Sequence, residues 1–248
     1  MVLRDTLPPQ QIKRLAQMRV IGLEMLQAQL TTLPPEGWSI LDLDWTPLWQ
    51  VFAPLRLRSG YALRAYLFRA GRDSYSRVWA MPANAPVPAP PAADDEDAWQ
   101  DAPPHALSSV MDGVEGDGTA WSYLAASLLG RELQGFAALG HAAWWREQAL
   151  VIDESVDASS IEDFDPPPLL SAQAEAFSEI NWQWRLTPPA RFSPRVREDS
   201  HGVTVEFVSY SGLGEHTLTW HTDQFDAGSY LFRTTMSTIA TASGGYLI

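Results

Sequence analysis

Asp117-Gly118-Thr119-Ala120-Trp121-Ser122-Tyr123-Leu124-Ala125-Ala126-Ser127-Leu128-Leu129-Gly130-Arg131-Glu132-Leu133-Gln134-Gly135-Phe136-Ala137-Ala138-Leu139-Gly140 is the stretch on which the fold of this 248-residue chain turns. Thr119 is an N-cap by type, because its hydroxyl can accept an orphan N–H of the first turn. Gly140 suits the position after the last turn. Between them the apolar residues cover more than one stripe. Tyr123, Ser127, Gly130, Gln134 and Ala137 share one side, while Trp121, Leu124, Leu128, Arg131, Leu133, Phe136 and Leu139 mark wider coverage. Ala125, Ala126, Gly130, Gly135 and Ala138 permit close backbone approach. The pattern predicts a central helix over 120–139, touching neighbours on several sides.

Upstream, Pro8 and Pro9 open a second helix predicted to run to Leu33, with Ile12, Leu15, Met18 beside Arg19, Gly22, Leu26 and Leu30 near one face. Pro34-Pro35-Glu36-Gly37 ends it. Alternating segments follow around Leu41, Leu43 and Trp45, then from Leu55 to Arg58, from Tyr61 to Ala70, and from Tyr75 to Met81. Gly71-Arg72-Asp73 joins the last two as a hairpin. Downstream of the central helix, residues 141–152, Trp182 with Trp184, and Val203 to Phe207 read as strands. So do Thr217 to Thr222 and Thr234 to Ala240, and Gly212-Leu213-Gly214 forms a second hairpin turn. The apolar end Tyr246-Leu247-Ile248 predicts a docked last strand.

The expected class is α+β: two principal helices packed on antiparallel sheet, with loops rich in proline and acid. The expected organisation is residues 1–82 as helix plus strands, 83–104 as a flexible acidic proline-rich linker or loop, and 105–248 as central helix plus strands. The two flanking parts are compatible with one compact domain. A second proline and acid stretch spans 153–168.

Composition narrows the chemistry. The chain has no cysteine, so thiolate catalysis, iron–sulfur clusters and cysteine-containing zinc sites are excluded. No secretory leader and no apolar run of membrane-spanning length is read from it, and the expected location is the cytoplasm. The net charge of −13 is uneven. Residues 1–82 hold ten basic and six acidic groups, residues 83–170 two and sixteen, and residues 171–248 five and eight.

Few residues carry a chemical signal. Arg56, Arg58, Arg64, Tyr66 and Phe68 share one face if a single strand register holds through residues 55–68. Arginine beside exposed aromatics is the means of gripping single-stranded nucleic acid, by phosphate pairing and base stacking. The overall charge opposes that reading. His221-Thr222-Asp223 matches half of a facial iron triad, but no histidine follows it, and no metal or other cofactor is expected. Gly212-Leu213-Gly214 lacks the third glycine of a dinucleotide fingerprint. Asp95, Glu96, Asp97 and Trp99, an aromatic inside an acidic segment, resemble a short interaction motif.

The leading expectation is therefore a non-enzymatic interaction module with another protein as partner. Two alternatives stay open: a single-strand nucleic-acid binder using the arginine and aromatic face, and an enzyme whose site assembles from Glu132, His141 and His221. The oligomeric state is not legible.

Overall fold

The computed structural model describes residues 3–30, 34–92, 101–138, 145, 148–152, 180–189 and 192–245. The motif at Asp95, Glu96, Asp97 and Trp99, the cap at Gly140, His141, the 153–168 stretch and the terminal Tyr246-Leu247-Ile248 lie outside them.

Helix α3 (Ala120–Gln134) is the centre of the fold, and every residue from Ser122 to Leu133 is buried. It packs against strands of two different sheets, β5 (Asp73–Pro82) on one side and β9 (Arg195–Asp199) with β10 (Gly202–Ser211) on the other. A helix enclosed on all sides needs small residues, and Gly130 shows why: a Cβ there would lie 2.8 Å from the Phe232 ring. The ends of α3 are tied as well. Thr119 Oγ1 accepts from Ser122 N at 3.2 Å. Beyond the C-terminus, the hydroxyls of Ser76 and Ser74 on β5 donate to Phe136 O and Ala137 O at 2.6 and 2.8 Å.

The large sheet runs β1 (Leu3–Thr6), β9, β10, β11 (His216–Phe225), β12 (Phe232–Ala242) and β8 (Gln183–Trp184), with β7 (Gln148–Leu150) also paired to β10. Every pairing is antiparallel. Val203, Val205 and Phe207 turn inward to α3, whereas Val208 and Tyr210 join Leu218, Ile239 and Ala240 in an outer cluster. The small sheet orders β2 (Gly37–Leu41), β4 (Tyr61–Ala70) and β5. Its hairpin pairs Ala70 with Asp73, and Gly71 takes the positive φ of the turn. Leu63, Ala65, Leu67, Val78 and Ala80 face α3, while Tyr66, Phe68, Trp79 and Met81 face outward with Trp38. A two-stranded ribbon pairs β3 (Leu55–Leu57) with β6 (Val114–Gly116).

Helix α1 (Pro9–Gln27) buries Ile12, Leu15, Arg19, Gly22 and Leu26, a stripe at helical spacing. Short α2 (Thr46–Val51) packs beside it. One core cluster gathers side chains from Leu7 through Tyr230.

The expectation of two principal helices carrying the sheet is overturned. Among the described residues strands outweigh helices, 38% against 23%, and they form three separate sheets. The helix starting at Pro9 ends at Gln27 rather than Leu33, and the central one at Gln134 rather than Leu139. Strands β1 and β9 carry little apolar alternation, so they leave no period in the sequence; their backbones pair at Leu3–Thr6 and Arg195–Asp199. Among the described residues no helix is long and apolar enough to cross a membrane.

Ser76→Ala leaves Phe136 O without its buried donor and should destabilise by about 1–3 kcal/mol. Thr119→Ala at the opposite end should cost about 1 kcal/mol. Urea unfolding monitored by circular dichroism measures both; a neutral Ser76→Ala would show that β5 does not hold the end of α3.

Candidate functional site: a buried charge network under an open sheet edge

Two adjacent residues of α3 carry opposite charges into the core. Arg131 and Glu132 are 3% and 2% exposed, a burial that requires partners for both. Their side chains leave the helix in different directions. Arg131 reaches the large sheet and bonds both carboxylate oxygens of Asp223, at 2.7 and 2.8 Å. The same Nη1 and Nη2 also donate to Ser127 O at 2.8 Å and Thr234 Oγ1 at 3.2 Å. Thr234 in turn donates to Asp223 Oδ1 at 2.5 Å. Glu132 reaches α1, where Arg19 Nε lies 2.6 Å away, and accepts from Trp145 Nε1 at 2.9 Å. Arg19 also donates to Gln148 O at 2.7 Å.

Trp145 joins the halves. The guanidinium carbons of Arg19 and Arg131 lie 5.0 and 5.5 Å from its ring centroid, within cation–π range. Burial pushes the Glu132 carboxyl above its ordinary range, against the pull of Arg19, the Trp145 indole and Arg131.

His221, on β11, is fully buried and stacks on Phe207 with ring centroids 4.5 Å apart. Its Nε2 lies 2.7 Å from Ser209 Oγ, and Ser209 also bonds Gln148 Oε1. The serine has one hydrogen, and Gln148 Oε1 can only accept it. The ring must therefore carry its proton on Nε2 and donate to Ser209, leaving the Nδ1 lone pair toward Arg131 Nη2 at 3.4 Å. Burial, with the Arg131 charge added, lowers the His221 pKa to about 3, which keeps this neutral tautomer at physiological pH.

Serine, histidine and aspartate thus sit together without forming a nucleophilic triad. Asp223 addresses Arg131 rather than the imidazole, and the hydroxyl hydrogen of Ser209 points away from His221. Ser209 is 1% exposed, so no substrate reaches it without opening the core. Of the three residues in the enzyme reading, Glu132 and His221 belong to this one enclosed network, and His141 lies outside the described residues.

Among the described residues the network meets a cleft at Arg131. The cleft, of about 340 Å³, is lined among others by Met111, Gln134, Leu231, Phe232, Thr234 and Met236. It reaches neither Glu132 nor His221. Its rim is Leu231 and the first half of β12, and Leu231 and Met236 are 40% and 51% exposed. Among the described residues, the outer side of β12 pairs with β8 at Ala240 and Thr241, and Ile239 O accepts from Arg185 N and Leu186 N; the backbone bonds on this side stop there. Arg233 to Ser237 are exposed in succession.

The five residues of the nucleic-acid reading are not brought to one face. The break at Ser59-Gly60 puts Arg56 and Arg58 in the ribbon with β6, where Glu115 lies 3.1 Å from Arg56 and Asp112 O accepts from Arg58 at 2.7 Å. Arg64 on β4 is half-buried. Tyr66 and Phe68 are 0% and 6% exposed beneath a cover, so no base stacks on them while that cover is in place. Among the described residues no cluster of three metal-ligating side chains forms.

Comparison with known protein families, characterised proteins and solved structures finds no match to this chain.

Two substitutions test the network. Asp223→Asn strands the Arg131 charge in the core and should cost about 3–5 kcal/mol, whereas Arg131→Met with Asp223→Leu should recover much of that. A double-mutant cycle in urea that shows additive effects would contradict the pair. The second is a pH test. His221 has a folded value near 3 against an ordinary 6.5, so its neutral ring stabilises the fold above 6.5. That contribution is lost as pH falls from 6.5 toward 3. Glu132, raised above 4.5, acts in the opposite sense, so the comparison needs a histidine variant. Between pH 6 and 4 the wild type should lose about 1.4 kcal/mol per pH unit more than His221→Gln. Parallel stability curves would show that His221 titrates normally.

Proposed function

We propose that the protein is a non-enzymatic interaction module that docks a partner protein by adding an extended segment of it to strand β12. The observation that carries this reading is the exposed run Arg233–Ser237 beside the cleft at Leu231, Phe232 and Met236. An unpaired strand edge offers a row of backbone donors and acceptors to an incoming strand, and an adjacent pocket selects alternate side chains. Edges not meant for pairing are commonly guarded by lysine, proline or a short length. Phe232–Ala242 has eleven residues, no proline and one charge, Arg233. Charge supports the same surface. In a chain with 30 acidic residues, none follows Asp226, so a partner meets no carboxylate along this strand.

The enclosed polar network fits this reading as scaffold. Arg131 fixes α3 to β11 and, through Thr234, to β12, holding the cleft floor in register with the strand edge. We further take the cytoplasm as the site of action, with the cysteine-free composition as support.

A display library of random peptides about ten residues long, panned on the intact protein, is the direct test. Enrichment of sequences alternating aliphatic and polar residues is expected. Synthetic copies should lose binding when alternate amides are N-methylated, and Met236→Asp should weaken binding tenfold or more with little change in stability. Failure to enrich, or equal capture by Met236→Asp, rejects the reading.

A further inference from the structure

A second surface belongs to the small sheet, which does not include β12. The outward face of the small sheet gathers Trp38, Tyr66, Phe68, Trp79 and Met81, with Tyr75 packed against them. Trp38, Phe68 and Tyr75 form a mutual ring cluster with centroid separations of 5.3, 5.5 and 5.3 Å. Five aromatic side chains on a sheet of three strands are more than a solvated face would carry.

Two segments lie over them: Ala102 and Ala106 pack against the cluster, and the chain that leaves β5, Pro82-Ala83-Asn84-Ala85-Pro86-Val87-Pro88-Ala89-Pro90-Pro91, crosses it at Pro88. The exposure of this second segment repeats every three residues. Pro82, Ala85, Pro88 and Pro91 are half-buried, and the two residues between each pair are exposed. Pro82 to Ala85 is a hydrogen-bonded turn; beyond it the repeat of Ala85, Pro88 and Pro91 is that of the polyproline II helix, which turns once every three residues and keeps its carbonyls free of internal bonds. Tyr66 Oη donates to one of those carbonyls, Pro88 O, at 3.0 Å. Burial raises the Tyr66 phenol pKa, against the pull of Arg64, so the group stays a donor. Trp79 Nε1 is a second donor, buried and without a hydrogen-bond partner among the described residues. Aromatic rings spaced to take successive proline turns, with hydroxyl or indole donors aimed at carbonyls, are what proline-rich recognition requires.

We propose that this aromatic face is a groove for proline-rich segments, closed by the chain's own residues 82–91 and able to take a proline-rich segment of another protein in their place. The seated strap is suited to exchange. It adds no strand to the sheet, and most of its side chains face solvent. Beyond its first turn, where Ala83 N and Ala85 N bond Gly60 O and Pro82 O, it is held to the face by Tyr66. Because it begins at the last residue of β5, its local concentration at the groove is high, and an outside ligand competes at a disadvantage until the strap is displaced. This site is independent of the β12 edge.

The probe is a fluorescein-labelled peptide of residues 82–92, titrated by anisotropy into the full-length protein. The intact chain should bind it weakly. A chain with Pro86, Pro88, Pro90 and Pro91 all changed to serine should bind on the order of tenfold or more tightly, as the tethered competitor is removed. Adding Tyr66→Phe should weaken that gain severalfold, and a length-matched Ala/Ser peptide should not bind. A folded strap variant that takes the peptide no better than wild type overturns the proposal, as does indifference to Tyr66→Phe. Should the fourfold variant not fold, Pro88→Ala alone decides: an intermediate affinity supports the groove, and wild-type affinity overturns it.

Discussion

The rest of this structure depends on two opposite charges placed side by side in the middle of a buried helix. Arg131 and Glu132 are almost wholly buried, so each is answered from a different element: Asp223 on β11 and Arg19 on α1. Hydrophobic packing around α3 could tolerate small rotations of the helix, because apolar contacts are not directional. A bidentate guanidinium–carboxylate pair cannot, since both bonds demand one orientation. The ion pairs therefore set the rotation of α3, and with it which residues meet the large sheet and which the small one. Their net contribution to stability is modest at best, because desolvation opposes the Coulomb gain. Their value is in specifying one arrangement.

Much of the local structure was legible and the assembly was not. The hairpin at Gly71-Arg72, the turn at Gly212 to Gly214 and the cap at Thr119 follow from backbone chemistry carried by single residues, and the structure has them in place. Leu63 and Leu67 face inward and Tyr66 and Phe68 outward, as alternation requires. What alternation cannot tell is that the outward face is also covered. A strand buried on both sides and one half-exposed differ by what lies above them, and here that is Ala102, Ala106 and the proline-rich segment through Pro88, a region whose composition reads as linker.

The candidate site was half visible for a similar reason. His221 and Asp223 do point the same way from one strand, which their spacing implies. The group they meet is an arginine 92 residues away from Asp223, and nothing local in the sequence pairs them. A signal did exist in the helices. Arg19 falls within the apolar stripe of α1, and Arg131 and Glu132 within a mostly apolar helix, both places where a charge is costly without a partner. Charges inside apolar periodicity were the trace of the network, more than any motif.

The burial of α3 has a consequence for how the chain comes to be folded. The helix is made from the middle of the sequence, yet its walls come from both ends: β1 near the start pairs with β9, and β11 supplies Asp223. During synthesis, α1, α3 and the small sheet emerge long before the strands that close the large one. Until residue 223 leaves the ribosome, Arg131 has no carboxylate from β11, and the apolar side of α3 that will meet β9 and β10 lies open. The nascent chain thus spends its longest interval with its most hydrophobic helix half-clothed, the condition under which chaperone engagement and aggregation compete. The acidic central block, made just before and after that helix, gives the unfinished chain a strong like charge during this interval, when self-association is most dangerous.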